Sequence, residues 1–94
     1  MNQTERIDHM EKILTEAAPA LEALCKALED YRALCPRLRE LSDYYESPEW
    51  MEDYEADEAG KIPADLKRGV LSQDTLYDLF AEEDRLKDEM RALL

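Results

Sequence analysis

Glycine is nearly missing from this 94-residue chain, which holds two in all, beside one histidine, one phenylalanine and one tryptophan. Two glycines furnish no phosphate-cradling loop and too few tight turns for a strand-rich fold. His9 stands off the apolar stripe of the first helical stretch, with no nucleophile or second ligand near it. It reads as a solvated side chain, not a general base. The two cysteines, Cys25 and Cys35, lie about 15 Å apart along one helical segment, whereas bridged Cα atoms sit within about 7 Å. No bridge is expected, and two cysteines alone make no zinc site. Apolar runs long enough for a bilayer, roughly 18 residues, are also missing, and the opening MNQTERIDHMEK is charged where a secretory signal is apolar. These absences predict a cytoplasmic protein without membrane attachment.

Bases are absent from residues 40–60, which carry nine acids: Glu40, Asp43, Glu46, Glu49, Glu52, Asp53, Glu55, Asp57 and Glu58. The whole chain is at −12, yet residues 1–39 are near balance at −1 and residues 61–94 at −2. Contact with a phosphate backbone needs Lys and Arg to displace counterions, so no direct nucleic-acid binding is expected here. The expected partner is a protein with a basic surface, drawn in a salt-dependent way.

What is abundant is Leu, Ala, Glu and Lys/Arg, the composition of helices. Asn2 followed three positions later by Glu5 has the form of a capping box and predicts a helix start near Gln3. Apolar residues then fall at Ile7, Met10, Leu14, Ala17, Leu21, Leu24, Leu28, Tyr31, Cys35 and Leu38, in alternating steps of three and four. That is an a/d heptad seam. A further set at intervals of seven, from Ile13 through Ala20, Ala27 and Leu34 to Leu41, widens it into a stripe. Pro19 and Pro36 leave the seam in phase but each removes a backbone hydrogen bond, predicting a kink or a break with a new first turn. A helix over 3–42 would reach roughly 57 Å against roughly 32 Å for the final helix, too long for one antiparallel partner. The surplus stripe must be met by the central stretch, by bending, or by a second copy of the chain, so a homodimer is a live expectation.

Ser47-Pro48-Glu49 has the form of an N-cap, an N1 proline and an early acid, predicting a short helix over 48–59 that Gly60 terminates. Residues 60–71 read as a loop with one helical turn, opened by Pro63 and closed by Gly69. Ser72 caps a last helix over 73–93, with Leu76, Leu79, Phe80, Leu86, Met90 and Leu93 on one face and Glu83 intruding. The expected fold is all-α within a single domain, 1–94. A long Pro-kinked N-terminal helix packs against a C-terminal helix, with a short acidic helix and loop between them, as a helical hairpin or three-helix bundle.

Alternating Asp53, Glu55 and Asp57 suggest a calcium loop, but Glu58 stands where the sixth position needs glycine and Ala64 where the twelfth needs glutamate. Carboxylate pairs such as Asp53/Asp57 on one helix usually form a solvated face. No catalytic, cofactor-binding or metal-binding residue is therefore expected. Lys67 and Arg68, the only adjacent bases, read either as counter-charges to the acidic run or as a small anion- or partner-contacting tip. Trp50 and Tyr54, four apart, read either as a staple onto the first helix or as a solvent-facing anchor for a partner. The candidate contact residues are Tyr45, Trp50, Asp53, Tyr54, Glu55, Asp57, Glu58, Lys67 and Arg68.

The ordered set Tyr44-Tyr45, Ser47, Trp50, Asp53-Tyr54-Glu55, Asp57-Glu58, Gly60, Pro63, Leu66 through Ser72 and Asp74 resembles the signature of a family of small bacterial proteins known as domain of unknown function 4298. The resemblance covers nearly the whole chain and is most specific over 44–74. It implies a stand-alone bacterial cytosolic protein and, the family having no assigned activity, transfers no catalytic residue.

Three readings of function follow. The first is a non-catalytic protein-interaction or regulatory protein using the 43–74 surface. The second is a nucleic-acid mimic that inhibits a basic DNA- or RNA-binding protein. The third is a metal-dependent regulator or enzyme. Exposure separates the first two: mimicry needs outward carboxylates in a ribbon, whereas an aromatic adaptor would expose Trp50 or Tyr54.

Overall fold

The computed structural model describes residues 1–94 and is all-α: α1 (Gln3–Tyr45), α2 (Pro48–Glu58), a 3-10 turn at Gly69–Leu71, and α3 (Gln73–Ala92), with no strand. The chain divides into two compact units, Met1–Arg39 and Glu40–Leu94.

The first unit is a helix capped at its start as Asn2 and Glu5 suggest. Asn2 Oδ1 accepts from the Glu5 N–H at 2.8 Å, and Asn2 Nδ2 donates to Glu5 Oε1 at 3.0 Å. Helix continues through Pro19 and on past Pro36, without the break that either ring could have caused. No residue of α1 is buried. Ile7, Met10, Leu14, Leu21, Leu24 and Leu28 remain 42–64% exposed, so the seam lies open over five turns or more.

In the second unit α1 ends three residues later than its expected 42, at Tyr45, because Pro48 holds Ser47 in an extended conformation (φ −90°, ψ 159°) that no helix continues through. Ser47 is the N-cap residue of α2, but its hydroxyl does not serve that helix: it turns back and donates to the Tyr44 carbonyl at 2.6 Å. α2 closes at Glu58, one residue short of the expected 59, in a Schellman arrangement. Lys61 N–H reaches Ala56 O at 2.9 Å and Gly60 N–H reaches Asp57 O at 3.0 Å, with Gly60 at φ +74°. That left-handed angle is the reason glycine stands there.

The loop departs from expectation in one respect. Pro63 opens only a single turn, closed by Leu66 N–H to Pro63 O at 3.1 Å, and the helical turn proper is the 3-10 segment that begins, not ends, at Gly69. It delivers Leu71 inward. Ser72 then caps α3, accepting from Thr75 N–H at 3.3 Å.

Three side chains form the core of this unit, Trp50, Leu71 and Leu76, with Leu41, Tyr44, Tyr45, Tyr54 and Phe80 packed around them. The apolar face expected along α3 is real in periodicity but only its first turns are covered: Leu76 is 2% exposed, whereas Leu79, Leu86 and Leu93 are 45%, 43% and 86% exposed. The distal turns are held by charge. Arg85 forks between Glu82 (2.6 and 2.9 Å) and Glu89 (2.8 Å), which raises its own pKa and lowers that of Glu82.

Candidate protein-contact surface

α2 turns one face inward and the other to solvent. Residues 50, 53, 54 and 57 share a face at helical spacing, and residues 49, 52, 55 and 58 occupy the opposite half at about 100° per residue. Burial follows that division.

On the inner face Trp50 is 6% exposed, with its ring edge-on to Tyr45 (centroids 5.2 Å, 82°) and stacked on Tyr54 (5.4 Å, 22°). Tyr45 also stacks on Phe80 at 6.5 Å. The indole N–H donates to Val70 O at 3.0 Å, so the one polar atom of the ring is satisfied inside the fold. Trp50, named among the contact residues, is therefore a core residue. The staple reading describes it, and an anchor role would require extracting it.

Two of the nine central carboxylates are also turned inward. Asp53 accepts from the Tyr44 hydroxyl at 2.5 Å, tying α2 to the end of α1. Burial of that phenol, reinforced by the hydrogen bond to Asp53 and its charge, pushes the Tyr44 pKa up to about 12. Asp57 accepts from Arg68 Nη1 at 2.7 Å with both partners about one-third exposed, which fastens α2 to the loop before the 3-10 turn. Asp53 and Asp57 are thus bonded separately, and neither faces Lys67. Lys67 is exposed, while Arg68 is the counter-charge that the pairing reading describes.

The other seven carboxylates, Glu40, Asp43, Glu46, Glu49, Glu52, Glu55 and Glu58, are all exposed. They recur at every third residue across the end of α1 and the length of α2, about 4.5 Å of helix rise apart within each helix. None of the chain's ion pairs reaches one of them. Only Glu58 has a defined neighbour, accepting from the Tyr54 hydroxyl and so raising that phenol's pKa. Of the expected contact residues, Glu55, Glu58 and Lys67 are exposed, and Tyr45, Asp53, Tyr54, Asp57 and Arg68 are partly covered. The expected contact residues did not include Glu40, Asp43, Glu46, Glu49 or Glu52, which complete the unbroken step of three.

No group of three or more His, Cys, Asp or Glu residues converges to hold a metal ion. The depression lined by Pro19, Glu22, Ala23, Cys25, Lys26 and Glu29 is about 490 Å³, open, and formed on one face of a single helix. No helix is long and apolar enough to cross a membrane.

Fold and surface together define a small, strongly acidic all-α protein that displays an ordered row of carboxylates. The chain belongs to the family described as a domain of unknown function, DUF4298, which matches residues 7–93. No curated protein and no solved structure matches it significantly.

Proposed function

We propose that the protein acts by protein–protein contact, without chemistry of its own, through the exposed carboxylate row of residues 40–58 and toward a partner with a basic surface. The sorting of the nine central carboxylates supports this reading. The fold neutralises or hydrogen-bonds two of them, Asp53 and Asp57, for its own assembly and leaves seven in water without an internal cation. Keeping like charges so close works against stability and is unneeded for a core built from Trp50, Leu71 and Leu76. A complementary partner draws a row of this kind into fast, salt-sensitive encounter. A bacterial cytosolic setting is part of the proposal, in keeping with two free thiols.

The regular spacing supports a second reading, in which the basic partner is a DNA- or RNA-binding protein whose groove the row occupies. The recurrence of exposed carboxylates at every third residue is the feature that favours it, since a nucleic-acid groove selects for periodic negative charge.

Both readings meet one experiment. The native chain and a variant carrying Glu46→Gln, Glu49→Gln, Glu52→Gln and Glu55→Gln serve as baits in cytosol at low and moderate salt. Partners held by the native chain should be lost from the variant and should fall away as salt rises. Equal retention by both baits would remove both readings. Displacement of bound nucleic acid from a captured partner would decide for mimicry.

A further inference from the structure

The large seam side chains of α1 from Ile7 to Leu28 are exposed, and three observations point to what covers them. The first is extent. Six large seam side chains at 42–64% exposure, with Ile13 and Leu34 beside them, present on the order of 800 Å² per copy, the amount one partner contributes to a specific interface. The second is continuity. The heptad runs unbroken from Ile7 to Leu38 inside one α-helix, and Pro19 and Pro36 take the outward f and b positions, clear of the seam.

The third is charge. Residues 1–22 hold five acids and two bases, while residues 23–39 hold four bases and two acids. A parallel pair would set each half against its like, whereas an antiparallel pair sets the negative half of one helix against the positive half of the other. We infer that α1 is a self-association element: two copies of the chain pair antiparallel through this seam.

Of the registers that place a positions opposite d positions, the charge argument selects the one that brings Glu11 to Arg32 of the partner subunit. Leu21 then meets Leu24 of the partner subunit at the centre, and Ile7 meets Leu38 of the partner subunit at each end. In this register one flank of the seam is apolar, with Ala20 against Ala27 of the partner subunit. The other flank places Glu11 beside Arg32 of the partner subunit, twice by symmetry. Within the chain, the ion pairs near these residues are Lys12–Asp8 and Lys26–Asp30, which leave Glu11 and Arg32 for the contact between copies.

A charge-reversal cycle tests pairing and direction together, by sedimentation equilibrium of the full chain under reducing conditions up to about 200 µM, a range that captures micromolar dimers. The native chain should sediment as a reversible dimer. Glu11→Arg and Arg32→Glu should each weaken it about tenfold, two exposed pairs being turned to repulsion. The double variant should return to within about threefold of the native chain, because both pairs are rebuilt with signs exchanged. In a parallel dimer positions 11 and 32 lie about 30 Å apart, and no rescue is possible. Leu21→Glu should give a monomer with its helix content intact by far-ultraviolet dichroism. A monomer mass for the native chain at the highest concentration, a dimer that survives Leu21→Glu, or a double variant no better than the singles would each overturn the inference.

Discussion

Leu76 offers the sharpest test of how the second unit is held together. It is the most buried side chain in the chain, at 2% exposure, and it completes a core of only three buried residues. Leu76→Ala removes three heavy atoms from a site that the rings of Trp50 and its neighbours are too stiff to refill, so the loss should be about 2–4 kcal/mol. A unit of about 55 residues, Glu40–Leu94, has a total stability of roughly 3–8 kcal/mol at the usual value per residue. The substitution should therefore remove about half of what exists. Trp50 is the only tryptophan and sits in the same cluster, so its fluorescence during urea titration reports this unit alone. The midpoint should fall by about 2 M or more, given a slope near 1 kcal/mol/M for so small a unit. Leu79→Ala, three residues along the same helix but 45% exposed, should shift the midpoint by less than about a quarter as much. If the two variants lose stability equally, or if Trp50 unfolds at an unchanged midpoint in Leu76→Ala, the core has been placed wrongly.

Tyr44 should make the protein sensitive to alkali. Its phenol stays protonated to about 12 in the folded chain but ionises near 10 when unfolded, so the folded state binds the extra proton between these values. Stability should be full below pH 10 and decline through pH 12 by about 1–2 kcal/mol, after discounting for the ring's partial exposure. Tyr44→Phe should flatten that decline in urea titrations run at pH 9 and pH 11. Gly60→Ala should cost about 1 kcal/mol by thermal melting, because φ is +74° and no atom lies within 4 Å of the added methyl, leaving backbone strain as the cause. Arg68→Gln should cost less than about 1 kcal/mol in dilute salt, and the difference from the native chain should shrink in about 1 M salt, as befits a pair with Asp57 at 2.7 Å that is about one-third exposed.

Features decided within a few residues were legible from the sequence. Asn2 with Glu5, Pro48 at the start of α2, Gly60 at its end and Ser72 before α3 all act through neighbouring backbone groups, so composition and spacing were enough to find them. The helix-rich fold followed from the same signals. Burial was less legible. Leu79, Leu86 and Leu93 share the apolar periodicity of Leu76, but periodicity identifies a face without saying whether anything lies against it. Trp50 could be staple or anchor until its indole was seen to meet Val70 O, twenty residues along the chain. For the same reason the sequence could not separate Asp53 and Asp57 from the other seven acids. Their partners, Tyr44 and Arg68, reach them only once α2 has docked.

The aromatic cluster has a practical bearing on every experiment that alters the acidic row. Tyr45, Trp50, Tyr54 and Phe80 are fixed at defined angles to one another, which lends the chain near-ultraviolet dichroism that vanishes when packing loosens. A glutamate variant that drops its partner yet keeps this spectral fingerprint has lost recognition alone. One that loses both has lost its architecture, and a single cuvette distinguishes the two.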